Sequence, residues 1–332
     1  MSASAEPHSG NLFDVVYGGS PPAYDDPAEC YFEASKLHPH MLNCDMPGAL
    51  KLQSSPELQL FTQRGGRPNH SRRPIPLPEP APLEAELADV LAARRSADGF
   101  GPGELPMDVL AGLLVHSYGT TDLGGRPRRP TPSGGALYPI DLYVVAERVH
   151  GLAKGMYHYD PYRNGLTPVR EVDFEALCQA TFRPELARDC AAMIVLGAIF
   201  WRSRFKYGQR GLRFCLMDAG HLMQNLLLLG TGYSLAVRPI GGFLDDDAAT
   251  GMDFDGVNEA PLYLMLVGPQ TSDVPQTSEA VAAPRSGASP GTDPIAVQVR
   301  TVALHRNEAA DGDRGGYRRG TVSDLQFAED TP

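Results

Sequence analysis

Apolar residues recur at helical spacing from Leu83 to about Arg95 (Leu83, Leu87, Val90, Leu91), just behind Pro82, which suits a helix start. The same period predicts a second helix from about Pro106 to Ser117, on Met107, Leu110, Leu113 and Leu114. The run Asp141–Ala146 is β-branched and aromatic and predicts a strand, with 155–159 as its partner. A helix is expected over 173–181. Ala191–Phe200 is continuously apolar over strand length, so it predicts a central strand buried on both faces. Residues 211–229 form the most apolar helix, greasy almost all round, which predicts burial inside the fold or at a subunit interface. Its few polar members, Asp218, His221, Gln224 and Asn225, therefore need partners. Short strands are expected at 235–238 and 261–267.

Outside this block the pattern fades. Residues 1–81 read as an irregular extension with linker-like stretches at Gly18–Pro22 and Pro74–Pro80, relieved by one or two helical turns at 31–37. Gly124–Pro130 reads as a loop. Residues 271–332 are rich in Ser, Thr, Ala, Pro and Gly and lack Lys, which predicts a mostly disordered tail with one strand at 295–302. The expected organisation is an N-terminal extension over 1–81, one α+β catalytic domain over 82–270 and the tail.

Composition narrows the function classes. The 332 residues are 42% hydrophobic and 21% charged, as in ordinary globular proteins. A net charge of −11 repels phosphate backbones, so a nucleic-acid partner is not expected. Five scattered cysteines without a CxxC pair suit a reducing cytoplasm. The first residues lack the basic start and apolar core of a signal peptide, and no apolar stretch reaches spanning length, so neither secretion nor a membrane is expected. Only four of the 29 basic residues are Lys (36, 51, 154 and 206), so a Lys inside a polar cluster stands out.

Four segments could carry chemistry. Arg94–Arg95–Ser96 offers two guanidinium forks and a hydroxyl, suited to a phosphate or ribityl chain, or else it is a solvated basic helix end. Pro132–Ser133–Gly134–Gly135–Ala136 lies ahead of a strand, either as bare backbone open to a ligand ring or as a tight turn. Pro239–Ile240–Gly241–Gly242 carries the same two readings after a short strand. In Trp201–Gly211, Lys206 abuts Tyr207 among Arg202, Arg204, Arg210 and Arg213. Clustered cations lower the pKa of both groups and would prepare a proton-transfer pair, and the alternative is a basic surface loop. Cys30, His38, His40 and Cys44 match no metal-ligand spacing, and no metal is expected. Neither a dinucleotide fingerprint, a P-loop nor a nucleophile elbow is present.

In this order the segments resemble the nitroreductase superfamily of FMN enzymes. Those from about 85 to 268 are most similar to its SagB-type branch, the azoline dehydrogenases of azole-peptide biosynthesis. The branch markers are Ser133–Gly–Gly–Ala–Leu–Tyr–Pro139, Lys206–Tyr–Gly–Gln–Arg–Gly211 ahead of Ala219–Gly220–His221, Tyr31–Phe–Glu–Ala–Ser–Lys36 and Asn258–Glu–Ala–Pro–Leu–Tyr263. The resemblance implies a nitroreductase-like fold, with a mixed, mostly antiparallel sheet flanked by helices in a domain-intertwined homodimer. It also implies two FMN sites at the subunit interface.

By the same resemblance, Arg94, Arg95 and Ser96 hold the phosphate and ribityl chain. Pro132, Ser133, Gly134, Gly135 and Ala136 meet the flavin from the partner subunit, and Pro239, Ile240, Gly241 and Gly242 line its ring. Asp218 and Asn225 join the cofactor-binding set, and Lys206 and Tyr207 are the catalytic pair. Asp98 stands where many relatives carry a basic residue, and the chain offers no clear C-terminal Lys/Arg pair for the phosphate, Arg285 being a poor candidate. The implied activity is oxidation of thiazoline or oxazoline rings in a ribosomally made precursor peptide, alongside a cyclodehydratase complex. The alternatives are an oxidase of a carrier-bound nonribosomal intermediate and a non-enzymatic flavin-binding scaffold subunit.

Overall fold

The computed structural model describes residues 27–37, 47–58, 73–122, 127–170 and 172–271. One compact unit spans Tyr31–Pro284; of the other, Met1–Cys30 with Arg285–Pro332, only residues 27–30 are described. The expected tail strand at 295–302, Arg285, and His38, His40 and Cys44 lie outside the described residues.

The chain runs α1 (Pro27–Ala34), α2 (Pro47–Ser54), β1 (Ile75–Pro76), α3 (Leu87–Ala93), α4 (Met107–Tyr118), β2 (Thr121–Asp122), β3 (Pro127–Arg128), a 3-10 turn (Gly134–Ala136) and β4 (Ile140–Ala146). It continues through β5 (Gly155–Asp160), β6 (Gly165–Arg170), α5 (Phe174–Ala180), α6 (Pro184–Arg188), β7 (Ala192–Ile199) and α7 (Trp201–Tyr207). The last elements are α8 (Arg210–Gly232), β8 (Leu235–Ile240), α9 (Asp245–Met252) and β9 (Glu259–Pro269).

Seven strands form one sheet in the order β1-β6-β5-β4-β7-β9-β8. Every pairing in it is antiparallel, so the sheet is not mixed. β7 is central, as its unbroken apolar run predicts, and both its faces are covered. Ile194 and Leu196 point to a core shared with α4 and α8, while Met193 and Val195 point to a second core under α5 and α9. The period-two alternation of side chains converts one greasy segment into the floor of two cores.

Several expectations need correction. The Pro74–Pro80 linker joins the sheet, Ile75 pairing with Leu166, and α2 adds a helix to a region read as irregular. Part of the 124–130 loop is a strand, β3, paired with β2. The first periodic helix is short, beginning at Leu87; of its apolar stripe only Val90 is buried, and Leu87 stands 63% exposed. α8 is not buried all round within the chain: Leu216, Met217, Gly220, His221 and Gln224 share an open face, which leaves the subunit-interface alternative standing. The basic segment after β7 is a helix, α7, rather than a loop.

Candidate functional site

The Ser133–Ala136 turn is held from beneath by two buried arginines. Arg202 on α7 makes a bidentate pair with Asp141 on β4, Nη1 donating to Oδ1 at 2.6 Å and Nη2 to Oδ2 at 3.1 Å, and Nη1 reaches the Tyr138 carbonyl at 3.4 Å. His158 approaches Asp141 Oδ2 at 3.3 Å. Burial pushes the Asp141 carboxyl up, but Arg202 and His158 outweigh this and hold it well below the ordinary carboxylate range. Arg129 lies over the rings of Tyr118 and Tyr138, at 4.2 and 4.5 Å. Asn225 on α8 donates to Thr131 Oγ1 at 3.1 Å, and Thr131 donates to the Ser117 carbonyl. Asn225 thus pins the residue just ahead of the turn.

The turn itself is left-handed. Gly135 has φ +67°, and Ala136 follows at +55°. Gly135 has two reasons to lack a side chain: the backbone region, and its neighbours. A Cβ there would stand 2.4 Å from the Tyr207 hydroxyl and 2.8 Å from Lys206 Nζ. The two segments singled out as candidate chemistry, some 70 residues apart in sequence, therefore meet at one α-carbon. Lys206 Nζ lies 4.9 Å from the centre of the Tyr207 ring, and Phe214 on α8 meets that ring edge-on at 4.7 Å. Phe214 also underlies Gly134, where a Cβ would come within 3.2 Å of its ring.

One turn of α8 further on, Asp218 is buried, 5% exposed, with its carboxyl facing the Ser133 hydroxyl and the Gly134 N–H. Its Oδ2 has no hydrogen-bond partner among the described residues. Burial pushes this carboxyl up to about 6, against the lowering pull of Ser133, Gly134 and His221. Ser133 Oγ accepts from the Tyr138 N–H at 2.9 Å, which closes the turn.

The remaining predicted residues gather elsewhere. Arg94, Arg95 and Ser96 follow α3 and lead into Ala97, whose N–H donates to the Val237 carbonyl on β8 at 2.9 Å. Arg238 on β8 returns bonds to the Ala97 carbonyl and to Asp98, both at 2.8 Å, so Asp98 has an arginine of its own. Pro239 and Ile240 end the same strand; Gly241 and Gly242 follow it, exposed, beside the rings of Tyr263 and Phe182. Arg95 folds back on its own helix end, donating to the Ala92 and Ala93 carbonyls, which is the helix-end alternative of the sequence reading. No bond between the described residues joins this β8-edge group to the group around Gly135 within one chain.

The expected cation cluster around Lys206 and Tyr207 does not form. Arg202 is spent on Asp141 in the core, and Arg210 and Arg213 reach Phe32 and Ser35 at the C-terminal end of α1. Each of these arginines has a partner of its own, which draws its guanidinium away from Lys206. Sequence reasoning missed Phe214 and Asp141; the i,i+4 spacing of Phe214 and Asp218, which puts both on the face toward the turn, was the available signal for the former. Burial holds the Cys178 and Cys215 thiols up at about 12, so neither supplies a thiolate nucleophile. Among the described residues there is no grouping of His, Cys, Asp or Glu fit for a metal, and no helix is long and apolar enough to cross a membrane.

The nitroreductase family model matches residues 91–269. The chain is 33% identical over 187 residues to MJ1384 of Methanocaldococcus jannaschii, a protein named for a nitroreductase, covering 56% of this chain and 91% of that one. It is 32% identical over 176 residues to the microcin B17-processing protein McbC of Escherichia coli, covering 51% of this chain and 64% of the relative. A chain of the E. coli microcin synthetase McbBCD complex, solved with truncated pro-MccB17 bound, shares the fold: TM-score 0.50 at 24% identity, over 80% of this chain and 99% of that one. The chain belongs to the nitroreductase family, within the branch that includes the microcin-processing protein.

Proposed function

We propose that this protein is an FMN-dependent dehydrogenase that oxidises thiazoline or oxazoline rings of a ribosomally made peptide to the aromatic azoles. The observation that carries the reading is the approach of Lys206 Nζ and the Tyr207 hydroxyl to the bare α-carbon of Gly135. The likeness to the microcin-processing protein supports the peptide substrate, and we propose a cyclodehydratase complex as the partner that supplies its rings.

The residues present fit a flavin. Asp218 Oδ2 is a buried acceptor still open to an O–H or N–H donor. Gly134, Gly135, Gly241 and Gly242 offer backbone without side chains, and Arg94, Arg95 and Ser96 offer phosphate and hydroxyl partners. The β8-edge group and the Gly135 group are separate within one chain, and the open faces of α3 and α8 carry Leu87, Leu91, Leu216 and Met217. Both features support a homodimer in which each flavin is held by the β8 edge of one copy and the Ser133–Ala136 turn of the other.

The azoline ring loses a Cα proton and a Cβ hydride, and FMN, when bound, supplies the two-electron acceptor for the hydride. The proton goes to Tyr207 or to Lys206, which stand together at Gly135. Phe214 keeps the Tyr207 ring from rotating away, and Asp218 and Asn225 hold the turn against which the pair is set. The new double bond completes an aromatic ring, which drives the step.

The test is a Lys206→Ala/Tyr207→Phe double variant. It is expected to purify yellow, with wild-type flavin content, and to leave azoline peptides unoxidised. Normal oxidation by this variant would overturn the assignment of the pair.

A further inference from the structure

The Tyr31–Lys36 motif is not used by any step above, yet its contacts converge on the segment that carries the catalytic pair. The Tyr31 hydroxyl donates to the Gln209 carbonyl at 3.3 Å, two residues past Tyr207. Arg213 donates from Nε to Ser35 Oγ at 2.8 Å and from Nη2 to the Phe32 carbonyl at 2.5 Å, with its guanidinium 4.3 Å from the Phe32 ring. Arg210 donates to the Ser35 carbonyl at 3.3 Å. Ser35 is 1% exposed, although it lies in a region that composition marks as linker-like.

On the other side, α2 lies against α7. Gly48 faces the carbonyl of Phe205, the residue before Lys206, so closely that a Cβ would fall 1.9 Å from its oxygen. That neighbour is backbone and cannot swing aside, so any side chain at 48 must push α2 and α7 apart.

We infer that α1 and α2 act as a strap that positions Lys206 and Tyr207, with Gly48, Tyr31, Ser35, Arg210 and Arg213 as positioning residues rather than catalytic ones. The physical reason is the shortness of α7. Seven residues are too few for a helix to be stable alone, so its orientation must be set by what packs on it. The buried Arg202–Asp141 pair fixes one side of α7. The strap fixes the side next to Lys206 and the joint into α8. A small tilt of α7 would move both functional groups away from Gly135, and misplacement on the order of an ångström costs about a hundredfold in rate.

This inference rests on the proposed role of the pair, and the test separates the two. Gly48→Ala and, as a milder change, Arg213→Ala are compared with wild type as purified holoproteins. Three quantities are read: steady-state kcat and KM on a model peptide bearing one thiazoline, amide hydrogen exchange over 203–209, and the rate of Lys206 acetylation by acetic anhydride, followed by peptide mapping with Lys154 as internal control. The strap account expects kcat to fall by about tenfold or more with KM and flavin content little changed. It expects faster exchange over α7 and an altered Lys206 acetylation rate at constant Lys154 labelling. In the Lys206→Ala/Tyr207→Phe background, the same changes should have no further effect on the residual rate. Unchanged exchange and unchanged Lys206 labelling in both variants would overturn the strap. If both readouts change while wild type itself leaves the thiazoline intact, the strap stands and the proposed reaction falls.

Discussion

At the scale of single residues, the site turns on Gly135. With φ at +67° and the Tyr207 hydroxyl only 2.4 Å from where a Cβ would stand, there is no room for a methyl group. Gly135→Ala is expected to keep the fold and to lose about a hundredfold in turnover, because Tyr207 and Lys206 must both move; thermal melting beside steady-state kinetics checks this.

Asp218 makes a pH prediction. Its folded carboxyl keeps its proton up to about 6, against 3.8 when the chain is unfolded. Between those values the folded state binds more protons than the unfolded state, so stability falls as pH rises through the window. Asp218→Asn, which stays neutral, is expected to melt at a temperature that changes less across that range and to exceed wild type in Tm at neutral pH. A Tm-versus-pH series on both proteins, each stripped of flavin, is the measurement.

At the scale of elements, the turn depends on a core charge pair. Asp141 has its pKa depressed in the fold, so its contribution is present above 3.8 and is lost as pH falls below that value. Removing one partner leaves a buried charge alone. Asp141→Ala is expected to cost about 3–5 kcal/mol in urea unfolding, with Arg202→Ala similar.

Arg202 also marks the limit of the sequence reading. Four residues ahead of Lys206 in the chain, it reads as one more cation of a basic cluster, yet its guanidinium is taken up by Asp141 in the core. Long apolar or strictly periodic elements such as β7, β4 and α4 are legible because burial itself writes their pattern. α2, β1 and α9 are not, since short elements made of Pro, Gly and Asp owe their form to tertiary contacts. The four chemical segments were found from their residue types. That two of them meet at Gly135, while the other two share the β8 edge, is information only the fold carries.

At the scale of the whole molecule, one chain presents two separate groups of candidate residues and open apolar faces on α3 and α8. Met217→Glu, on the α8 face and 47% exposed, is expected to shift the protein from dimer to monomer in sedimentation velocity and to lower its flavin content. A dimer of unchanged stability with full flavin would remove α8 from the interface.

The central claim is the reaction. Purified protein loaded with FMN is incubated in air with model peptides bearing one thiazoline or one oxazoline, and the products are read by high-resolution mass spectrometry. The account predicts the loss of two hydrogens per ring, together with azole absorbance. A protein that holds FMN, meets both rings and returns them unchanged would contradict it.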